Sequence, residues 1–187
     1  MYAYRLDVRE QIPNIITVIR ILAITPICWL LWQGNYAFAL GLLILAGLSD
    51  ALDGFLARRY GWFTPLGAVL DPAADKLFVV SVFIVFGLKG ALPWWLIALV
   101  IGRDVVIVTG ALAYRYLRGK LEMHPLFISK LNTGLQILLL AITLLDVALY
   151  PLPAWFTTGL EWGVAVTTCM SGIAYVVLWG RYALLER

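Results

Sequence analysis

Four aspartates fall within the thirty residues from Leu48 to Leu77, which read LSDALDGFLARRYGWFTPLGAVLDPAADKL. Asp50 and Asp53 are three apart, and Asp71 and Asp75 four apart, so on helices each pair shares one face. Carboxylates at the edge of an apolar span are costly unless something compensates them. Four in one small volume would repel one another unless cations neutralised them. An all-oxygen donor set suits hard divalent ions such as magnesium or manganese rather than zinc or copper. Two such ions can clamp the attacking and leaving oxygens of a displacement at phosphorus. The blander alternative is that each aspartate is a solvated helix cap.

The neighbouring residues fit the phosphorus chemistry. Gly54 and Ala57 sit one turn apart beside the first aspartate pair and would let a flat ring approach the backbone. Arg58 follows, with the fork geometry that grips a diphosphate. Gly67, one turn before Asp71, would let two helices approach closely.

The elements that must position these groups are membrane spans. Of 187 residues, 63% are hydrophobic and 13% charged, with a mean hydropathy of +0.91. A soluble domain would carry about 25% charge. The apolar runs approach the ~20 residues that a helix needs to cross the hydrocarbon core. The expected fold is all-α: a polytopic membrane protein with six transmembrane helices. The spans run about Ile15–Trp32, Tyr36–Arg58, Leu66–Leu88, from near Pro93 to Leu117, Ile128–Leu149 and Trp155–Trp179. The short loop between the second and third makes them expected antiparallel neighbours, with both aspartate pairs at similar depth. Residues 1–12 form a juxtamembrane segment, read as a short interfacial amphipathic helix or a frayed terminus. No linker divides the chain, so 1–187 is expected to be one domain.

Charge placement orients the spans. Arg5, Arg9, Arg58, Arg59, Arg115, Arg118, Lys120, Lys130, Arg181 and Arg187 fall on one side if the spans alternate, against Lys89 on the other. By the positive-inside rule both termini and the aspartates are expected at the cytoplasmic face of a bacterial-type inner membrane. The net charge of +3 is accounted for by these anchors, so nucleic acid is not an expected partner. Trp94, Trp95, Trp155 and Trp162 suit the interface. Cys28 and Cys169, inside apolar runs and without ligand spacing, read as small buried side chains.

Several polar residues lie outside the aspartate stretch. Arg103 and Asp104 fall within the fourth span, where an ionisable pair is functional by default. Arg103 either contacts a phosphate or balances Asp104. Lys130, at the start of the fifth span beside Asn132, either binds a phosphodiester or anchors the helix. Gln136 serves helix packing or ligand contact, and His124 reads as a surface residue.

The aspartate stretch matches the signature D-x2-D-G-x2-A-R-x8-G-x3-D-x3-D at every fixed position: Asp50, Asp53, Gly54, Ala57, Arg58, Gly67, Asp71 and Asp75. In this the chain resembles the CDP-alcohol phosphotransferase family, and the likeness extends to Ile12-Pro13-Asn14, Thr17 and Arg20. The resemblance implies that Asp50, Asp53, Asp71 and Asp75 hold two divalent ions, Mg2+ or Mn2+. It also implies that Asp75 is the general base, with Asp71 beside it at the reacting centre, and that Asp50, Gly54, Ala57, Arg58 and Gly67 line the CDP site.

Outside the motif, Ala39–Arg58, Gly102–Tyr116 and Phe127–Gln136 look most like the cardiolipin synthases of this type. The implied donor is CDP-diacylglycerol and the implied acceptor phosphatidylglycerol, with Arg103, Lys130 and Asn132 as acceptor-binding candidates. Phosphatidylglycerophosphate synthesis from glycerol 3-phosphate is the alternative, and family members are commonly homodimers. From another class, an ion or metal transporter would also use membrane carboxylates. The aspartates, however, gather at one face with no acidic constriction opposite.

Overall fold

The computed structural model describes residues 12–60, 67–118 and 126–185, all in helices and tight turns. Six helices follow in order: α1 (Ile12–Gln33), α2 (Tyr36–Tyr60), α3 (Gly67–Leu88), α4 (Trp94–Arg118), α5 (Phe127–Ala148) and α6 (Ala154–Leu185). Four of them contain stretches long and apolar enough to cross a membrane: Ile15–Gln33, Trp94–Ala113, Phe127–Ala148 and Ala154–Gly180. A shorter apolar stretch, Tyr36–Ser49, opens α2 before its aspartates begin. The expected interfacial helix and His124 lie outside the described residues.

Burial is inverted relative to a water-soluble protein. Thr17, Arg20, Arg103, Asp104, Asn132, Gln136, Thr168 and Ser171 are buried, while Trp29, Phe38, Leu45, Leu112 and Ile173 are exposed. Lipid tails are as apolar as leucine, so apolar side chains lose nothing by facing outward, and polar groups must find partners inside. This is a membrane protein by composition, length and burial together.

The helices form two compact units, one ending at Lys89 and the other starting at Gly90. In the first, α1 packs against both α2 and α3. Ile27 and Leu31 of α1, Ala39 of α2, and Val82, Phe83 and Phe86 of α3 are buried there. Where the sequence places α2 and α3 side by side, the close pairings among the described residues run through α1. A six-residue connection limits the separation of two helix ends to about 20 Å, but it does not oblige the helices to touch. The α1–α2 turn closes on Gly34, whose φ of 81° only glycine adopts freely. The Asn35 amide donates to the Leu30 carbonyl at 2.9 Å, the six-to-one bond of a Schellman ending. Lys89, at the far end of α3, rests over the Trp32 ring at 5.3 Å.

In the second unit α6 is the shared partner, packing on α4 and on α5. Leu96, Ile97 and Val100 of α4, Leu139 and Leu144 of α5, and Val164 of α6 are fully or almost fully buried. The turn into α6 is held by Asp146, whose Oδ1 accepts the Leu152 amide at 2.6 Å. That carboxylate takes up a donor that the flanking prolines 151 and 153 cannot pair through a helix. Trp95 and Trp162 stack at 5.2 Å between ring centroids, both about half exposed.

Candidate functional site

The α3 carboxylates are gripped from α1. Thr17 and Arg20, three residues apart, lie on one face of α1, and both are buried. The Thr17 hydroxyl donates to Asp71 Oδ1 at 2.5 Å. The Arg20 guanidinium donates through Nη1 to Asp75 Oδ1 at 2.8 Å. Asp71 and Asp75 are themselves exposed, and the Asp75 side chain is 60% accessible. The arrangement is a buried frame on α1 holding two exposed carboxylates of α3. Pro72 stands between them inside the helix. With no N–H, it leaves the carbonyl one turn earlier without its helix bond.

Two carboxylates on successive turns, oriented and accessible, are a donor set that hard divalent ions accept. Among the described residues, no three His, Cys, Asp or Glu side chains gather at one point. Asp50, Asp53, Gly54, Ala57 and Arg58 all belong to α2, but their side chains lie outside the described residues. Gly67 is the first residue of α3 and is buried.

The second unit carries a separate polar seam. Arg103 is buried in α4 and bonded through all three guanidinium nitrogens. Nη1 donates to Asp104 Oδ1 at 2.8 Å, Nε to Ser171 Oγ at 3.2 Å, and Nη2 to Ser171 Oγ at 2.5 Å and to Ser129 Oγ at 2.6 Å. The guanidinium carbon also sits 6.0 Å from the centre of the Tyr175 ring. Arg103 therefore ties α4 to both α5 and α6. Asn132, 0% exposed, accepts at Oδ1 from the hydroxyls of Thr167 and Thr168, each at 2.9 Å. Lys130 is exposed, one position from Ser129 and off the buried face.

The hydroxyls of Ser129, Thr167, Thr168 and Ser171 were not among the candidates that sequence singled out. Their signal is the helical spacing. Ser129, Asn132 and Gln136 fall on one face of α5, and Thr168, Ser171 and Tyr175 on one face of α6.

A groove of about 440 Å³ opens between α4 and α6, lined by Gly102, Val106, Gly172, Ile173 and Val176 and, at its polar end, by Arg103 and Thr168. Cys169 also lines it and is exposed, and Cys28 is half-buried. The expectation of two buried thiols is thus corrected. In a membrane helix an apolar run marks residence in lipid, not which face meets protein.

Comparison with known proteins places these features. The family model described as CDP-alcohol phosphatidyltransferase matches residues 10–179. A probable cardiolipin synthase (CMP-forming) of Drosophila melanogaster is 32% identical over 91% of this chain and 60% of its own length. A chloroplastic CDP-diacylglycerol–glycerol-3-phosphate 3-phosphatidyltransferase of Oryza sativa is 35% identical over 88% of this chain and 56% of its own. The human cardiolipin synthase (CMP-forming) is 32% identical over 71% of this chain and 50% of its own. The chain thus spans between half and three-fifths of the length of these relatives. With the signature intact, the α3 carboxylates held from α1 and the family match spanning all six helices, the chain belongs to the CDP-alcohol phosphatidyltransferase family.

Proposed function

We propose that this chain is a phospholipid-synthesising enzyme that moves a phosphatidyl group from CDP-diacylglycerol to a hydroxyl of phosphatidylglycerol, giving cardiolipin and CMP. The observation that carries the reading is the pairing of Thr17 with Asp71 and of Arg20 with Asp75. A buried frame that fixes two exposed carboxylates on successive turns is what a reacting centre needs and what a pair of solvated caps does not. Both cardiolipin and phosphatidylglycerophosphate synthases occur among the relatives. The stretches Gly102–Tyr116 and Phe127–Gln136 favour the former.

In this reading Asp50, Asp53, Asp71 and Asp75 hold two divalent ions, Mg2+ or Mn2+, which neutralise charge on the phosphates. Gly54 and Ala57 leave room for the cytidine, and Arg58 grips the diphosphate, with Asp50 and Gly67 completing the CDP site. Asp75 takes the proton of the acceptor hydroxyl. The hydroxyl oxygen then bonds to the phosphatidyl phosphorus, and the bond from that phosphorus to the CMP oxygen breaks, its electron pair leaving with CMP. Arg20 fixes the plane of the Asp75 carboxylate so that the proton meets an oriented base. Asn132 serves the acceptor, and Lys130, exposed and off the buried face, anchors α5 at the interface. Of the two roles open to Arg103, balancing Asp104 is the one its bonds support. Six spans, both termini on the cytoplasmic side of a bacterial-type inner membrane, one domain over 1–187 and a homodimeric assembly complete the proposal.

The test supplies purified protein with CDP-diacylglycerol, a divalent salt, and either phosphatidylglycerol or glycerol 3-phosphate, and separates the lipid product by mass. Cardiolipin is the expected product. Asp71→Asn or Asp75→Asn should abolish CMP release, and chelation should stop it. Turnover retained by both variants would overturn the assignment of Asp71 and Asp75, and a chain that moved ions without releasing CMP would be a transporter.

A further inference from the structure

Asn132 and Gln136 lie one turn apart on the buried face of α5. Asn132 is 0% and Gln136 2% exposed. Each leaves its side-chain nitrogen without a hydrogen-bond partner among the described residues: Nδ2 of Asn132 and Nε2 of Gln136. Thr167 and Thr168 both donate to Oδ1 of the Asn132 amide, and Nδ2 is the donor left over. A buried donor without a partner costs about 1–3 kcal/mol, and nearly all buried polar groups in folded proteins avoid it. Two such donors side by side in one membrane span call for oxygen acceptors that the described residues do not supply.

The electrostatics of the seam say which oxygens. The two amides are neutral. The Arg103 charge in the same seam is matched by Asp104, and Lys130 points away from the buried face. A dianionic phosphate monoester needs cationic partners. A singly charged phosphodiester, or a glycerol hydroxyl, can be held by amide donors. Thr168 links this to lipid, since it bonds Asn132 and also lines the apolar groove between α4 and α6. An acyl chain lying in that groove would end against Thr168, one hydrogen bond from the Asn132 amide.

We infer that Asn132 and Gln136 form the subsite that recognises the phosphodiester-linked headgroup of a lipid acceptor, selecting it over a soluble phosphate monoester. The inference rests on the transferase reading above. It adds Gln136 as an acceptor-touching residue and names the charge state that the site selects.

The experiment compares wild type with Gln136→Leu, Gln136→Glu and Asn132→Leu in detergent. Three quantities are read: KM for phosphatidylglycerol, KM for CDP-diacylglycerol, and Tm. Retention of phosphatidylglycerol is measured in parallel by native mass spectrometry. Gln136→Leu should raise the acceptor KM about 10- to 100-fold, the worth of a hydrogen bond to a charged group. The donor KM should hold, and Tm should stay level or rise, because an unpartnered buried donor has been replaced by an apolar group of similar size. Gln136→Glu, which sets a carboxylate against the phosphodiester, should lose more.

An unchanged acceptor KM in Gln136→Leu, or a fall in Tm with both KM values rising together, would mean that the amides are satisfied by ordered water or by packing, and would overturn the proposal. A shift confined to glycerol 3-phosphate would overturn the choice of phosphodiester. If wild type releases no CMP with any acceptor, the transferase reading fails by itself. The retention measurement still decides the amides: phosphatidylglycerol held by wild type and lost by Gln136→Leu supports them, and equal retention sinks them.

Discussion

Replacing Arg103 by leucine removes the guanidinium that joins three helices of the second unit, and its cost can be worked from the bonds it makes. The Arg103 and Asp104 side chains are 5% and 10% exposed, so solvent screens their 2.8 Å contact very little. Without the guanidinium, Asp104 keeps a carboxylate in a buried position, and Ser129 and Ser171 lose an ionic donor. Breaking one side of a buried pair costs about 3–5 kcal/mol. For a chain of this size each kcal/mol moves Tm by about 2–4 °C, so the single variant should melt roughly 6–20 °C below wild type. Arg103→Leu with Asp104→Leu removes both charges at once. Its loss should be far smaller than that of either single change, because the desolvation penalty disappears with the charges. The assay is thermal unfolding of the four proteins of the cycle in one detergent, read as surviving monodisperse protein. Additive losses, with a coupling below about 0.5 kcal/mol, would refute the claim that the pair is a buried mutual compensation.

Other perturbations probe other parts of the fold. A β-carbon at Gly110 would overlap the Cζ3 edge of the Trp179 ring, so Gly110→Ala should cost about 1–3 kcal/mol by overpacking, and adding Trp179→Leu should cost less than the two changes summed; thermal unfolding reads both. Arg20→Lys keeps the charge beside Asp75 but loses the rigid fork, and should lower kcat about tenfold while KM for CDP-diacylglycerol holds; a rise in KM alone would place Arg20 in donor binding instead. Asp146→Ala strips the acceptor from the Leu152 amide and should destabilise by about 1–2 kcal/mol, with Asp146→Asn recovering most of it; unfolding midpoints decide.

The helices were legible because each is a run of apolar residues punctuated by turn formers. Gln33-Gly34-Asn35 and Pro151-Leu152-Pro153 end elements where the sequence says they should. The sixth helix is the departure: hydropathy stops it at Trp179, but the helix continues to Leu185. Backbone hydrogen bonding does not stop where a side chain turns polar, so composition marks the edge of lipid and not the end of the helix. At the site, the spacing of Asp71 and Asp75 was readable, but their partners were not. Thr17 and Arg20 lie more than fifty residues upstream, and no local pattern encodes that pairing. Arg103 posed the same difficulty. One position in sequence couples it to Asp104, whereas the serines that complete its shell come from two other helices.

The length of α6 has a mechanical consequence. Its apolar stretch, the 27 residues of Ala154–Gly180, is about 40 Å long, against about 33 Å for the 22 residues of α5. No single bilayer thickness suits both. Mismatch is relieved by tilting at a cost of fractions of a kcal/mol per Å, but α6 cannot lean alone, because α4 and α5 both pack on it. Thinning the membrane would therefore shear Ser171 against Arg103 and Thr168 against Asn132, making the polar seam a gauge of the surrounding lipid.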